Sequence, residues 1–270
     1  GPVWEANHVW FVFVLVLLFS AFPGAFAAIA TGLFGALTCY AIGIVLRGAA
    51  FTFRHYDLDR ARARRWGGLF SAASVACPFL LGLMGALLLR DRPLEDAQLA
   101  AFPIASGLFV VALCALLAAV FLAYAASEAA LADAFRARAS AALVAAGVLS
   151  VVSLALARSE APRLVLSWQR PWLASAIAAA PLCGFAALAA LRARRYGLAR
   201  MLACALATAV VVAWGLALDD RIAPPDYVLE RARAPEPVLR FLVGASIVGF
   251  AVLVPSLALL FRVFRVFRRR

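Results

Sequence analysis

Near its start the chain reads Pro2-Val3-Trp4-Glu5-Ala6-Asn7-His8-Val9-Trp10, an acid, an amide, an imidazole and two indoles directly ahead of an apolar run that ends at Phe22-Pro23. A carboxyl in such company can take up and release protons near neutral pH if partial burial raises its pKa. Polar groups placed in hydrocarbon cost several kcal/mol unless something pairs with them. Glu5 and Asn7 therefore belong either in a headgroup region, where indoles also collect, or in a polar site lined by protein. Glu5 is the leading candidate for a protonatable relay group, and an interfacial acid with no task is the alternative.

Two further charges fall inside or at the edge of apolar stretches. Arg47 lies about a turn inside the run that closes Leu46-Arg47-Gly48-Ala49-Ala50-Phe51-Thr52-Phe53-Arg54. Its side chain either snorkels to the headgroups or serves a buried partner, and Gly48 and Ala50 leave room beside it for a facing backbone. Glu128 follows Tyr124 and Ser127 at the end of another apolar stretch, where a solvated helix-end acid is the plainer interpretation. Ligands for a redox metal are scarce. The only histidines are His8 and His55, each expected at a helix end, so no haem is expected on this chain alone. Five cysteines fall in five different apolar stretches with no Cys-x-x-Cys spacing and are read as small buried side chains. Two methionines do not make a soft-metal relay, and no metal site is expected.

These residues must be positioned by membrane helices. Apolar residues make up 66% of the chain and mean hydropathy is +0.96, which excludes a soluble globular domain. The apolar runs are built of Ala, Leu and Gly without period-2 alternation, which excludes a lipid-embedded β-barrel. The opening run has no basic residues before it and many spans behind it, so it is not a cleaved signal peptide. The expectation is an all-α polytopic membrane protein with about eight spans, near 9–27, 29–51, 66–89, 104–126, 139–157, 172–191, 198–218 and 238–261. The longest connection, about 219–237, holds Pro224, Pro225, Pro235 and Pro237.

Charge sets an expected orientation. All 26 basic residues are Arg, and eight spans collect sixteen of them on one side, including Arg60 to Arg65, Arg136, Arg138, Arg192 to Arg195 and the C-terminal cluster. The opposite side carries nine, offset by nine acids such as Asp91, Glu160 and Asp219. The positive-inside rule then puts both termini of this chain in the cytoplasm. The net charge of +12 is thus topology, with the tail Arg262 to Arg270 lying against anionic membrane lipid, and no nucleic-acid partner is called for. The echo between Arg62-Ala63-Arg64-Arg65-Trp66-Gly67 and Arg192-Ala193-Arg194-Arg195-Tyr196-Gly197 suggests two four-helix bundle units within one integral membrane domain, 1–135 and 136–270. Arginine-rich cytoplasmic turns alone would produce the same echo.

The run Gly1 to Trp10, followed by Ala21-Phe22-Pro23, Ala25-Phe26-Ala27 and Arg47 to Arg54, resembles subunit II of the cytochrome bd family of quinol oxidases. The pattern W-[DE]-x-N-x-V-W, then A-F-P, then R-G-x-A-F-x-F-R covers residues 1–54. Beyond it the likeness rests on span order, on Glu128 and on Phe135-Arg136-Ala137-Arg138. The resemblance implies a complex of a bacterial inner membrane that oxidises quinol and reduces dioxygen to water. Haems b and d would sit in a partner, the haem-bearing subunit I, with a quinone possible in this subunit. It assigns the motif's acid to Glu5 as a proton-path group, positioned by Trp4, Asn7 and Trp10. Arg47 and Arg54 match the second motif, where no chemical role follows from the match. Glu5-Ala6 stands where the family has Asp-Gly. The family also carries a further helix ahead of the first motif, and nine spans where eight are counted here. A multi-pass transporter of small solutes or lipids, with helices broken near the bilayer midplane, is the alternative from another class. A purely structural membrane subunit is the other.

Overall fold

The computed structural model describes the backbone of residues 2–94, 96, 99–224 and 227–263, and the side chains of all of these except 2–9, 11 and 261. The described chain is almost wholly helical and divides into two compact units, residues 1–31 with 220–270, and residues 32–219.

The first unit begins with α1 (Pro2–Ala21) and α2 (Pro23–Gly32), a pair bent by 120° at the intervening Phe22. The expected continuous span 9–27 is therefore broken. Pro23 explains it: the ring disfavours helical geometry at Phe22, and proline brings no N–H to continue the ladder. The break turns the Ala21 carbonyl outward, where it accepts a hydrogen bond from Ala234 N at 2.7 Å. A small antiparallel hairpin, β1 (Arg221–Ala223) and β2 (Tyr227–Val228), leads into the single turn α10 (Leu229–Ala232) and brings Ala234 there. Gly24 faces the Tyr227 ring, which a Cβ would meet at 3.6 Å. The proline-rich connection is thus a cover for the broken helix pair. The unit closes with α11 (Glu236–Val263), which packs along α1.

The second unit contains α3 (Phe34–Tyr56), α4 (Arg60–Leu89), α5 (Ala101–Ala125), α6 (Ala129–Glu160), the short α7 (Pro162–Ser167), α8 (Pro171–Arg192) and α9 (Tyr196–Leu218). Seven described helices, α3 to α6, α8, α9 and α11, are long and apolar enough to cross a membrane, and the bent pair makes eight if it counts as one span. At 30 and 32 residues, α4 and α6 reach about 45 Å at 1.5 Å per residue, beyond a hydrocarbon core of about 30 Å. The excess length falls where their N-terminal turns carry charge, Arg60 to Arg65 in α4 and Asp133 with Arg136 in α6. Both α4 and α8 run on through Pro78 and Pro181.

Helix α5 is the centre of this unit, packing against α4, α6 and α9. Leu113, Leu116 and Val120 of α5 form one buried cluster with Leu143 of α6, Leu191 of α8 and Leu206 of α9. Because lipid tails are as apolar as leucine, association in a bilayer depends on close backbone approach through small residues. A Cβ on Gly82 of α4 would lie 2.7 Å from the Ser106 carbonyl oxygen, and one on Gly107 of α5 would lie 2.8 Å from that of Phe79. Trp214 of α9 reaches the same region and donates its indole N–H to the Gly85 carbonyl at 2.9 Å.

Gly107→Leu is expected to force α4 and α5 apart, at a cost of about 1–3 kcal/mol, because the Phe79 backbone carbonyl stands in the way together with the Phe79 ring. Gly147→Ala, where a Cβ meets nothing within 4 Å, is expected to leave stability unchanged or to raise it by up to about 1 kcal/mol through helix propensity. Thermal unfolding of the detergent-solubilised protein checks both, and equal melting of the two variants would contradict the close-approach account.

Candidate functional site

The motif that opens the chain lies on α1, but the side chains of Trp4, Glu5 and Asn7 lie outside the described residues. Trp10, the last member of that motif, is described. Its ring stacks on Phe250 of α11 with centroids 5.8 Å apart and meets Phe13 edge-on at 6.5 Å. Phe13 in turn meets Phe250 at 5.1 Å. This aromatic triad ties the C-terminal side of the motif to α11, and such pairs contribute about 0.5–1.5 kcal/mol beyond area burial. Glu5 is five residues earlier on the same helix, about 7.5 Å along its axis.

The second motif occupies α3. Arg47 is half-buried, and its Nε is fully enclosed without a hydrogen-bond acceptor among the described residues. Its guanidinium carbon lies 5.6 Å from the centroid of the Phe70 ring on α4. It also falls within electrostatic reach of Tyr40, Cys77 and Cys114. Arg47 is therefore directed into the helix seam and not outward along the helix surface. The seam is narrow because a Cβ on Gly43 would stand 2.8 Å from the Cys77 sulfur. Ala50, one turn beyond, is fully buried, as the small residues beside Arg47 suggested. Arg54 is exposed, and its guanidinium lies against Gly67 of α4. Phe53 packs beside Trp66 with centroids 5.0 Å apart.

Glu128 is exposed and forms the N-cap of α6, where its side chain makes no capping hydrogen bond. Among the described residues it is brought to none of the other candidates. His55 ends α3 with its ring edge-on to Tyr56 at 5.3 Å. No group of three or more His, Cys, Asp or Glu among the described residues is placed to hold a metal ion.

The best-buried charge among the described residues carries no signal in the sequence reading. Arg90, at the C-cap of α4, is 1% exposed. Its Nε lies 3.5 Å from Glu160 Oε2 at the end of α6, and its Nη1 donates to the Asp96 carbonyl at 2.8 Å. The other Glu160 oxygen accepts from Phe102 N at 3.1 Å, in the first turn of α5. One carboxylate thus neutralises the arginine and satisfies an N–H that α5 leaves open. Asp91 pairs beside it with Arg163, at 3.3 Å to the guanidinium and 3.2 Å to the backbone N–H. In the sequence, Leu89-Arg90-Asp91-Arg92 looks like the start of a loop; only the meeting of three helix ends makes Arg90 an interior residue.

The opposite helix ends carry a second cluster. Asp133 accepts from Arg136 Nε at 3.1 Å, from Arg194 Nη2 at 3.0 Å and from the Tyr196 hydroxyl at 3.3 Å. Arg194 adopts φ 55°, a left-handed turn that closes α8 with Arg195 N donating to the Ala190 carbonyl. Arg200 lies 4.0 Å from the Tyr124 ring centroid. Among the described residues, charge is therefore gathered at the two ends of the helices, with Arg47 the exception between them.

Fold and composition define a polytopic all-α membrane protein, in which Trp10 of the opening motif packs against Phe250 of α11. Residues 1–264 match the family described as cytochrome bd terminal oxidase subunit II, and the chain belongs to that family. A stretch of 95 residues is 30% identical to cytochrome bd ubiquinol oxidase subunit 2 of Bacillus subtilis (strain 168). That stretch is 35% of this chain and spans only 28% of the Bacillus protein's length. The fold is also similar to the structure of bd oxidase from Geobacillus thermodenitrificans, with a TM-score of 0.82 and 21% identity, covering 99% of this chain and 84% of that one. The resemblance carried by the two motifs is thus upheld at the level of family and fold, against the transporter alternative.

Arg90→Ala is expected to destabilise the protein by about 3–5 kcal/mol, since Glu160 would be left largely buried without its cation. Replacing both partners, as Arg90→Met with Glu160→Leu, is expected to recover much of that loss. The check is a set of melting curves for the three proteins, and a double variant as unstable as the single one would contradict the pairing.

Proposed function

We propose that this chain is the non-haem subunit of a quinol-oxidising, dioxygen-reducing terminal oxidase, scaffolding a haem-bearing subunit I and contributing a proton path through Glu5. The observation that carries this is the family match over residues 1–264, which includes both motifs in order. Haems b and d belong, in this reading, to the partner, where quinol is oxidised and dioxygen reduced. Quinol oxidation releases protons and reduction of dioxygen to water consumes them, so such a complex needs a protonatable route from the aqueous phase to its oxygen site. A carboxyl on a membrane helix supplies one if its pKa is raised toward neutrality by partial burial. Trp4, Asn7 and Trp10 would orient that carboxyl, and the stacking of Trp10 on Phe250 gives the helix a fixed bearing for it.

The orientation belongs to the same proposal: the arginine-rich helix ends and both termini of the chain face the cytoplasm of a bacterial inner membrane. Asp133, Arg136 and Arg194 would then lie on the cytoplasmic side, and Arg90, Asp91 and Glu160 on the other. Arg47 extends a fixed positive charge between these ends, suited to holding a partner carboxylate or a quinone oxygen. Glu128, capping α6 in the open, is the weaker proton-path candidate.

Purification of the tagged chain from its native membrane is expected to bring down a second subunit with reduced-minus-oxidised haem absorbance. Glu5→Gln is expected to lower quinol oxidase turnover about a hundredfold with the haem spectrum unchanged, and Glu5→Asp to retain most of it. A colourless protein without a partner would overturn the oxidase reading. Full turnover in Glu5→Gln would instead leave a structural subunit and remove the proton path.

A further inference from the structure

Helices α6 and α8 approach one another near Leu143 and Gly184, where a Cβ on the glycine would meet Leu143 Cδ1 at 3.7 Å. Toward the arginine-rich helix ends a groove of about 640 Å³ lies beside them, bounded by Arg136, Ser140, Ala141 and Val144 of α6 and by Leu188 and Arg192 of α8. It is an open groove on the helix surface and not an enclosed cavity. The lining is sorted by height. Arg136, Ser140 and Val144 are spaced by four on one face of α6, so the wall descends about 12 Å along the helix axis from the Arg136 Cα to the Val144 Cα. Leu188 lies one turn below Arg192 on α8. A cationic mouth thus stands over an apolar wall, at the level where two membrane helices leave the hydrocarbon.

The two arginines are differently engaged. Arg136 spends its Nε on Asp133 at 3.1 Å, and the carboxylate of Asp133 is shared with Arg194 and Tyr196. Arg192 is exposed, and among the described residues it has no ion pair or hydrogen bond from its side chain. Asp133 is shared between Arg136 and Arg194, and Arg192 lines the groove without an acid of its own among the described residues, so positive charge remains at the mouth. An arginine fork matches phosphate oxygens in geometry as well as charge.

We propose that this groove binds one anionic phospholipid, with its phosphate held by Arg136 and Arg192 and an acyl chain lying along Ala141, Val144 and Leu188. Charge complementarity at the mouth and the apolar wall beneath it select this occupant: a soluble anion would not use the wall, and an uncharged chain would not use the arginines. Ser140 is not available as a further donor in this arrangement, because its hydroxyl donates to the Arg136 carbonyl at 3.0 Å. The lipid would bridge α6 and α8 along the groove they line, in the way a protein side chain joins helices elsewhere in the unit.

The test uses the complex as purified from its membrane, delipidated in detergent and titrated with phosphatidylglycerol or phosphatidylcholine, with bound lipid counted by native mass spectrometry. One phosphatidylglycerol is expected to bind in preference to phosphatidylcholine. Arg192→Gln is expected to weaken it about fivefold, in line with one basic charge at a membrane surface. Val144→Trp, which fills the wall and leaves every arginine in place, is expected to abolish that binding event. Arg192 takes part in no described interaction, so this variant keeps the test open even if changes at Arg136 disturb folding. Equal binding of the two lipids, or unchanged binding in Arg192→Gln and Val144→Trp, would overturn the proposal. So would a photo-crosslinker at position 144 that captures a neighbouring subunit in place of lipid.

Discussion

The close approach of α4 and α5 is the contact on which the larger unit depends. In a bilayer no hydrophobic gain distinguishes a neighbouring helix from lipid, so association rests on how nearly two backbones can meet and on the polar groups they satisfy. Gly82 and Gly107 are interleaved across this contact, each where any side chain would strike the opposing backbone. With α4 and α5 seated this way, α5 presents Leu113, Leu116 and Val120 to α6, α8 and α9, and Trp214 reaches the Gly85 carbonyl. One well-packed pair thereby organises the helices around it.

Polar chemistry is arranged around that apolar centre by cost. Ion pairs are placed at the two sets of helix ends, where each also closes an open structural requirement. Glu160 neutralises Arg90 while accepting from the first turn of α5, and Asp133 joins the start of α6 to the turn between α8 and α9. Arg47 departs from this plan, with an enclosed Nε that meets an aromatic ring and no acceptor among the described residues. A charge kept at that depth, despite its cost, is the kind usually retained for a partner or a ligand.

Much of the fold was legible before any coordinates. Long uncharged runs, the restriction of charge to their ends and the absence of period-2 alternation are enough to define spans, because lipid admits so few backbone solutions. Phe22-Pro23 also marks the break between α1 and α2, which apolarity alone makes one continuous span. What proline alone does not say is whether a helix ends or continues, and here Pro23 ends one while Pro78 and Pro181 are carried within others. At Pro23 the tertiary structure settles the outcome, since Ala234 is at hand to satisfy the released carbonyl.

For the candidate site the division is similar. The order and spacing of the two motifs placed the chain in its family without reference to contacts, because those residue types at those intervals are seldom spent on an apolar helix for stability. Which arginines are interior could not be read the same way. Arg90 and Arg92 stand two residues apart in one short charged run, yet the first is sealed among helix ends and the second is exposed. Sequence by itself determined the membrane-helical class and where charge was permitted, since the price of a charge in hydrocarbon acts on each segment separately. Only the tertiary structure decided which charges meet, because that depends on the approach of helices far apart in the chain, and it is this approach that gives Arg90 its carboxylate and turns Arg47 toward Phe70.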